Sequence, residues 1–313
     1  MFSGGASRRR KALANSRTLP KTEQISERYR DLDAWSPGAA LDVLWEAQLS
    51  AVAAVRAALP EIESAVAAAL PLLRSRGRLV YAGAGTSGRI AAQDGAELPP
   101  TFDWPRERLV TLMAGGEAAF TGAVEDAEDD AAAGLAAILQ HDVGQGDVVI
   151  GVAASGGTPF TLAAVQEAAR RGALTIGIAN SPGSKLLTVA AYPVLVDTGA
   201  EPIAGSTRMK AGTAQKVVLN LFSTLLMLRL GRIHQGLMVD MRASNEKLRG
   251  RAMRMLQRLT NCDANAASLA LENAGGNVKT AVLLLHGLDV AAARSLLSLH
   301  QGHLRAALME IEK

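Results

Sequence analysis

The sequence predicts an α/β fold: three layers, αβα, around a five-stranded parallel sheet, with a small helical module at the C-terminus. Two observations carry this. From Arg78 onward, short β-branched runs alternate with helical stretches, at Arg78–Ala82, Leu109–Met113, Val148–Ala153, Leu174–Ile178 and Pro193–Asp197. Strands alternating with helices imply βαβ units and a parallel sheet. From about residue 244 the pattern turns wholly helical, in short segments punctuated by Asn261, Gly275-Gly276 and Gly287.

Taken in order, the elements begin with a basic arm. Arg8-Arg9-Arg10-Lys11 supplies much of the formal net charge of +3, and residues 1–22 read as disordered. No apolar region follows the adjacent arginines, because Lys11 leads into Asn15, Ser16 and Arg17, so no export signal is expected. Ala39 to Leu73 reads as one or two helices rich in Ala and Leu, with Pro60 near a break. The alternating region follows, and Met209 to Leu230 is long and apolar enough to be a packed helix. The helical module closes the chain as a structural cap or a dimer contact.

Composition narrows the function. Hydrophobic residues make up 49% of the 313, ample for a buried core, but aromatics are only 4%. That argues against nucleic-acid recognition by stacking. No stretch reads as long and apolar enough to span a membrane. Cys262 stands alone, which excludes a disulfide framework and cysteine-based metal sites. His234, His286, His300 and His303 lack metal-binding spacing. A cytoplasmic protein with no metal, no nucleic-acid partner and no membrane partner is the expectation.

Ligands of open parallel sheets bind outside the carboxyl ends of the strands. Two loops there carry hydroxyls. Gly83-Ala84-Gly85-Thr86-Ser87-Gly88 follows the first strand and opens a helix; Ala153-Ala154-Ser155-Gly156-Gly157-Thr158-Pro159 repeats the same grammar after the third. The first matches the GxGxxG dinucleotide fingerprint, but that match alone is weak. A pyrophosphate site needs mainly bare backbone, whereas adjacent hydroxyls suit the terminal oxygens of a phosphate monoester. Helix N-termini add free N–H groups and partial positive charge. Thr86, Ser87, Ser155 and Thr158 are therefore the phosphate ligands, with Gly85 beside them. The bland alternative is two glycine-rich turns capped by Ser and Thr.

More specific runs surround these loops. They are Asp94-Gly95-Ala96-Glu97-Leu98-Pro99-Pro100-Thr101-Phe102, Ala114-Gly115-Gly116-Glu117, and Ala123-Val124-Glu125-Asp126-Ala127-Glu128-Asp129. Then come Gly205 to Lys216, Leu237-Met238-Val239-Asp240 and Asn245-Glu246-Lys247-Leu248. Together they resemble the N-acetylmuramic acid 6-phosphate etherase family, of the sugar isomerase (SIS) fold, from about Thr22 to the C-terminus. The domains then read as an arm over 1–22, a SIS-type sugar-phosphate domain with N-terminal helices over 23–243, and a small UBA-like helical module over 244–313. This sequence departs from the pattern at Gly95-Ala96, at Gly236 and in Thr22–Ser26, and has Gly157 where the pattern has Arg.

The resemblance implies cleavage of the D-lactyl ether of a phosphorylated amino sugar, no cofactor, a homodimer, and a role in cell-wall sugar recycling. It makes Glu97 the acid that protonates the lactate oxygen and Glu128 the base at C2. Glu97 falls near the end of the helix opened by the first loop, just before Pro99-Pro100 should halt it; its small or apolar neighbours Gly95, Ala96 and Leu98 suit a raised pKa. Glu125 and Glu128 would share a helix side at i, i+3, where like charge could raise one of them. Arg208 and Lys210, beside Ser206, could hold the phosphate or the lactate carboxylate, or form a surface charge pair. Glu117 could shape the site or cap a helix. A non-catalytic sugar-phosphate-binding regulatory module and an aldose–ketose isomerase share the fold and are the competing readings.

Overall fold

The computed structural model describes residues 19–241 and 245–311. The basic run at 8–11 lies outside the described residues; at the end of the arm, Lys21–Glu23 form a 3-10 turn with Thr22 buried. The chain divides into two units. One runs as far as Asp94 and resumes over Val110–Phe222; the other joins Gly95–Leu109 to Ser223 and beyond.

In the first unit, Ser36 caps helix α1 (Pro37–Ala54) by accepting from Ala39 N–H, with a proline at the first helical position. A 3-10 turn, Val55–Ala58, leads into α2 (Leu59–Arg74), and the expected break at Pro60 falls in its first turn. The strands are β1 (Leu79–Gly83), β2 (Leu109–Met113), β3 (Val148–Ala153), β4 (Leu174–Ala179) and β5 (Tyr192–Leu195), in the order β2-β1-β3-β4-β5. The sheet is parallel, with Val80 opposite Val149, Ile150 opposite Ile176, and Ile178 opposite Val194. Every residue of β1 and β3 is buried, which is why these strands read as continuous apolar runs rather than alternating ones.

One sheet face is covered by α5 (Ala131–Gln140) and α6 (Pro159–Arg170): Val80, Val149 and Ala153 pack with Ile138, Phe160, Ala164 and Val165. Successive strand residues point to opposite faces. Tyr81 therefore points the other way, where its hydroxyl meets Asp94 of α3 (Gly85–Phe102), and Asp94 in turn accepts from Asn220 of α8 (Lys210–Arg229). Two short helices, α4 (Ala118–Thr121) and α7 (Lys185–Val189), fill connections.

Strand order reverses between β1 and β3: the chain leaves β1 for one edge and β3 for the other. The crevice at such a switch point is where open α/β sheets bind ligands.

Two expectations are corrected. Pro99 and Pro100 do not end α3, which continues to Phe102; the N–H groups they lack would have bonded only Gly95 and Ala96 carbonyls in the last turns. Also, Pro37–Arg74 and Lys210–Arg229 are long and apolar enough to cross a membrane by length and composition. A helix rich in Ala and Leu that covers a sheet has the composition of a span, and more than half of the α8 window is buried within the protein.

The second unit is built on α9 (Glu246–Thr260), α10 (Ala264–Asn273), α11 (Val278–Leu285), α12 (Val290–Leu299) and α13 (Leu304–Ile311). Asn245, Asp263, Asn277 and Asp289 cap the first four, each side chain accepting from a first-turn N–H. Their core gathers Val239, Met241, Leu256, Leu271 and Val282. Residues 95–109 group here rather than with the sheet, unlike a division at 243/244. The Arg232 guanidinium stacks 5.4 Å from the Trp104 ring and donates to the Phe102 carbonyl at 2.6 Å.

Candidate functional site

The turn between β1 and α3 is unusually tight. A Cβ on Gly83 would come within 2.8 Å of the Gly88 Cα, and one on Gly88 within 2.4 Å of the Met113 sulfur. Two of the three fingerprint glycines thus serve close packing of helix on strand. Gly88 N–H bonds the Ala84 carbonyl at 3.0 Å, so the N–H groups of residues 85–87 open the helix without an intrahelical partner.

The second loop ends at Thr158, which precedes α6 but makes no side-chain cap bond. Ser155 Oγ accepts from Gly157 N–H at 3.1 Å, which leaves its own O–H free to donate. The capping alternative therefore fails at Thr158.

These loops line one cavity of about 440 Å³. Gly85, Thr86, Ser87, Ser155, Gly157 and Thr158 line it, and so does Glu128. Glu128 reaches it from the 3-10 turn Ala127–Asp129, entered through Asp126 in the left-handed region at φ 57°. That entry breaks the helix expected over this run, so Glu125 and Glu128 do not share a helix side and the proposed repulsion between them has no basis. Arg89, from α3, donates to the carbonyls of Ala119 and Gly122 and pins the segment leading into that turn.

The other candidates stand elsewhere. Glu97 is exposed on α3 and does not line the cavity. Its neighbours do not bury it: Leu98 takes the packed side of the helix at 1% exposure and leaves Glu97 to solvent. Glu117 is exposed and makes no cap bond. Ser206 and Arg208 do not line the cavity, although Gly205 and Thr207 do. Lys210 is buried, its ammonium donating to the Ala200 carbonyl at 3.1 Å. Burial pushes its pKa down, against the pull of Glu201.

Sequence reasoning missed two carboxylates. Glu201, buried, accepts from Lys210 N–H at 2.8 Å and Ala211 N–H at 2.9 Å, capping α8 from a distance; burial raises its pKa. Glu23 lines the cavity with Pro20. In the sequence it stood only within Thr22–Ser26, a segment noted for its departure from the family pattern.

Among the described residues, no Lys or Arg lines the cavity, and no group of three His, Cys, Asp or Glu could hold a metal ion. Anion binding here would fall to the N-termini of α3 and α6 and to hydroxyls.

Known proteins resemble this chain along nearly its whole length. It is 52% identical over 293 residues to the N-acetylmuramic acid 6-phosphate etherase of Deinococcus radiodurans, covering 93% of this chain and 96% of that one. Proteins of the same name match from Rubrobacter xylanophilus, at 43% over 92% of this chain and 96% of that one, and from an Enterobacter species, at 42% over 92% and 97%. The glucokinase regulatory protein N-terminal SIS domain matches residues 61–169, and the SIS domain matches residues 131–225.

Proposed function

This chain belongs to the N-acetylmuramic acid 6-phosphate etherase family, and from that premise we propose which of its residues do the chemistry. It is a carbon–oxygen lyase that cleaves the D-lactyl ether of N-acetylmuramic acid 6-phosphate, giving N-acetylglucosamine 6-phosphate and D-lactate. One observation carries the residue assignment: Glu128 and both hydroxyl loops line the same cavity.

The phosphate sits at the N-termini of α3 and α6, taking donors from Thr86, Ser87, Ser155, Thr158 and the first-turn N–H groups. The sugar ring opens and exposes C1 as an aldehyde, which makes the C2 proton acidic. Glu128 removes that proton. The C3–O bond breaks, lactate leaves with a proton from the acid, and a C2–C3 double bond forms. Water then adds across it, hydroxyl to C3 and proton to C2. Glu97 is the acid; its support is the resemblance of the Asp94–Phe102 run, since no cavity contact places it.

Gly85 gives the first loop its close approach. Glu117, Ser206, Arg208 and Lys210 are at most indirect contributors, as none lines the cavity. A homodimer, a cytoplasmic setting and amino-sugar recycling belong to the same proposal. A charged sugar phosphate is retained inside a cell, and the reaction returns it as a common amino-sugar phosphate. The match to a regulatory protein's SIS domain covers residues 61–169 only, and a purely regulatory protein would have no use for Glu128.

The deciding experiment follows D-lactate from N-acetylmuramic acid 6-phosphate for the wild type, Glu128→Gln and Glu97→Gln, with C2 deuterium exchange from heavy water as a second readout. Glu128→Gln should lose both lactate and exchange; Glu97→Gln should lose lactate and keep exchange. Exchange surviving in Glu128→Gln would remove Glu128 from the base role.

A further inference from the structure

Glu23 comes to the cavity from a segment anchored at two neighbouring positions. Thr22 is fully buried, and its carbonyl accepts from Gly205 N–H at 3.0 Å. Lys21 pairs with Asp197. The backbone on which Glu23 rides is therefore fixed to the loops before α8.

Gly205 makes room for the side chain. It sits at φ +77°, and a Cβ there would stand 2.7 Å from Glu23 Oε2. The carboxylate thus lies against bare backbone at the cavity edge. Among the described residues it has no hydrogen bond and no ion pair. Surface carboxylates often lack partners, but this one lines the cavity that holds Ser87, Ser155, Thr158 and Glu128.

Resting on the lyase reading above, we infer that Glu23 binds substrate, accepting a hydrogen bond from a neutral donor of the amino sugar, a ring hydroxyl or the acetamido N–H. An ionised carboxylate only accepts. The substrate's phosphate and lactyl carboxylate are anions and repel it, so its partner is on the uncharged part of the sugar. The cavity then divides by charge: helix N-termini and hydroxyls take the phosphate, and Glu23 reads the sugar.

The test is calorimetric titration of N-acetylglucosamine 6-phosphate into wild type, Glu23→Gln and Glu23→Ala, with inorganic phosphate as a second titrant and a thermal midpoint for each protein. Loss of a hydrogen bond to a charged group should weaken sugar-phosphate binding by roughly 10- to 100-fold in Glu23→Ala. Glu23→Gln should lose less, because its amide oxygen still accepts. Inorganic phosphate affinity should not weaken, and the midpoint should hold, since among the described residues the carboxylate has no hydrogen-bond or ion-pair partner. Unchanged sugar-phosphate affinity, equal weakening of both titrants, or a fall in midpoint that tracks the loss would each overturn the inference. Wild type that binds N-acetylglucosamine 6-phosphate but releases no lactate would sink the lyase reading alone, and the same titrations would still decide Glu23.

Discussion

The Tyr81 hydroxyl donates to Asp94 Oδ2 at 2.8 Å across the packed face of the sheet. Tyr81 is fully buried; burial first, then the Asp94 charge, pushes its pKa well up, so it stays a donor at any working pH. The bond ties β1 to α3, whose first turn lines the cavity. Tyr81→Phe removes one donor from a carboxylate on a residue 6% exposed, which should cost about 1–3 kcal/mol. Asp94→Asn should cost much less, because the tyrosine hydroxyl can turn and accept from the new amide. Chemical denaturation of both variants checks the order; a larger loss for Asp94→Asn would contradict it.

The second hydroxyl loop gives a prediction in which activity and stability separate. Thr158 does not cap α6, so Thr158→Val should leave the thermal midpoint nearly unchanged. If it donates to the phosphate, KM should rise roughly 10-fold or more, with kcat less affected because the phosphate is remote from the bonds that break. A midpoint that falls while KM stays fixed would assign Thr158 to structure.

Legibility in the sequence followed the range of the interactions. The strands and the two hydroxyl loops are local: each strand is a run of four to six residues bounded by turn signals, and each loop follows its strand directly. Glu97 was harder, because which side of α3 is packed is set by residues distant in sequence: Leu98 is buried and Glu97 is exposed. The acidic run at 125–130 misled because a left-handed Asp126 is invisible to helical spacing. Lys210 carries its charge inward to the Ala200 carbonyl, a contact set by the loop path before α8. Glu23 was unreadable for the same reason: nothing near it announces that residues 20–23 return to Gly205.

Arg78 and Asp147 stand just before β1 and β3 and clamp the strand ends opposite the site. Asp147 takes the Arg78 guanidinium at 2.6 Å and the N–H groups of Arg78 at 3.0 Å and Gly144 at 3.1 Å. Burial pushes its carboxyl up, but the Arg78 guanidinium and these N–H donors outweigh that and hold it below the usual range. A carboxyl depressed in the folded state contributes stability above its unfolded pKa, and that stability is lost as pH falls through the folded value. The wild-type thermal midpoint should therefore drop below about pH 4, and Asp147→Asn should show a shallower drop. At neutral pH the variant should be less stable by roughly 1–3 kcal/mol. Parallel curves for the two proteins across that acid range would rule the pair out as a source of acid sensitivity.

Lys279 opens α11 with its side chain 5% exposed, donating to Asp240 at 2.7 Å and to the Gly302 carbonyl at 2.8 Å. Burial lowers its pKa, with Asp240 opposing. Such a pair is a poor source of net stability, since desolvation offsets attraction, yet removing one partner leaves a buried charge unpaired. Asp240→Ala should accordingly cost about 3–5 kcal/mol. Adding Lys279→Met should restore much of the loss, because the thioether fills the space and needs no counterion. The thermal midpoints of the single and double variants form the measurement. A double variant no more stable than Asp240→Ala would mean that Asp240 acts mainly through Arg232, 3.7 Å away, and that the lysine is a bystander. Rescue would mean that the buried Lys279 ammonium left without its counterion, rather than the loss of attraction in the pair, is what destabilises Asp240→Ala.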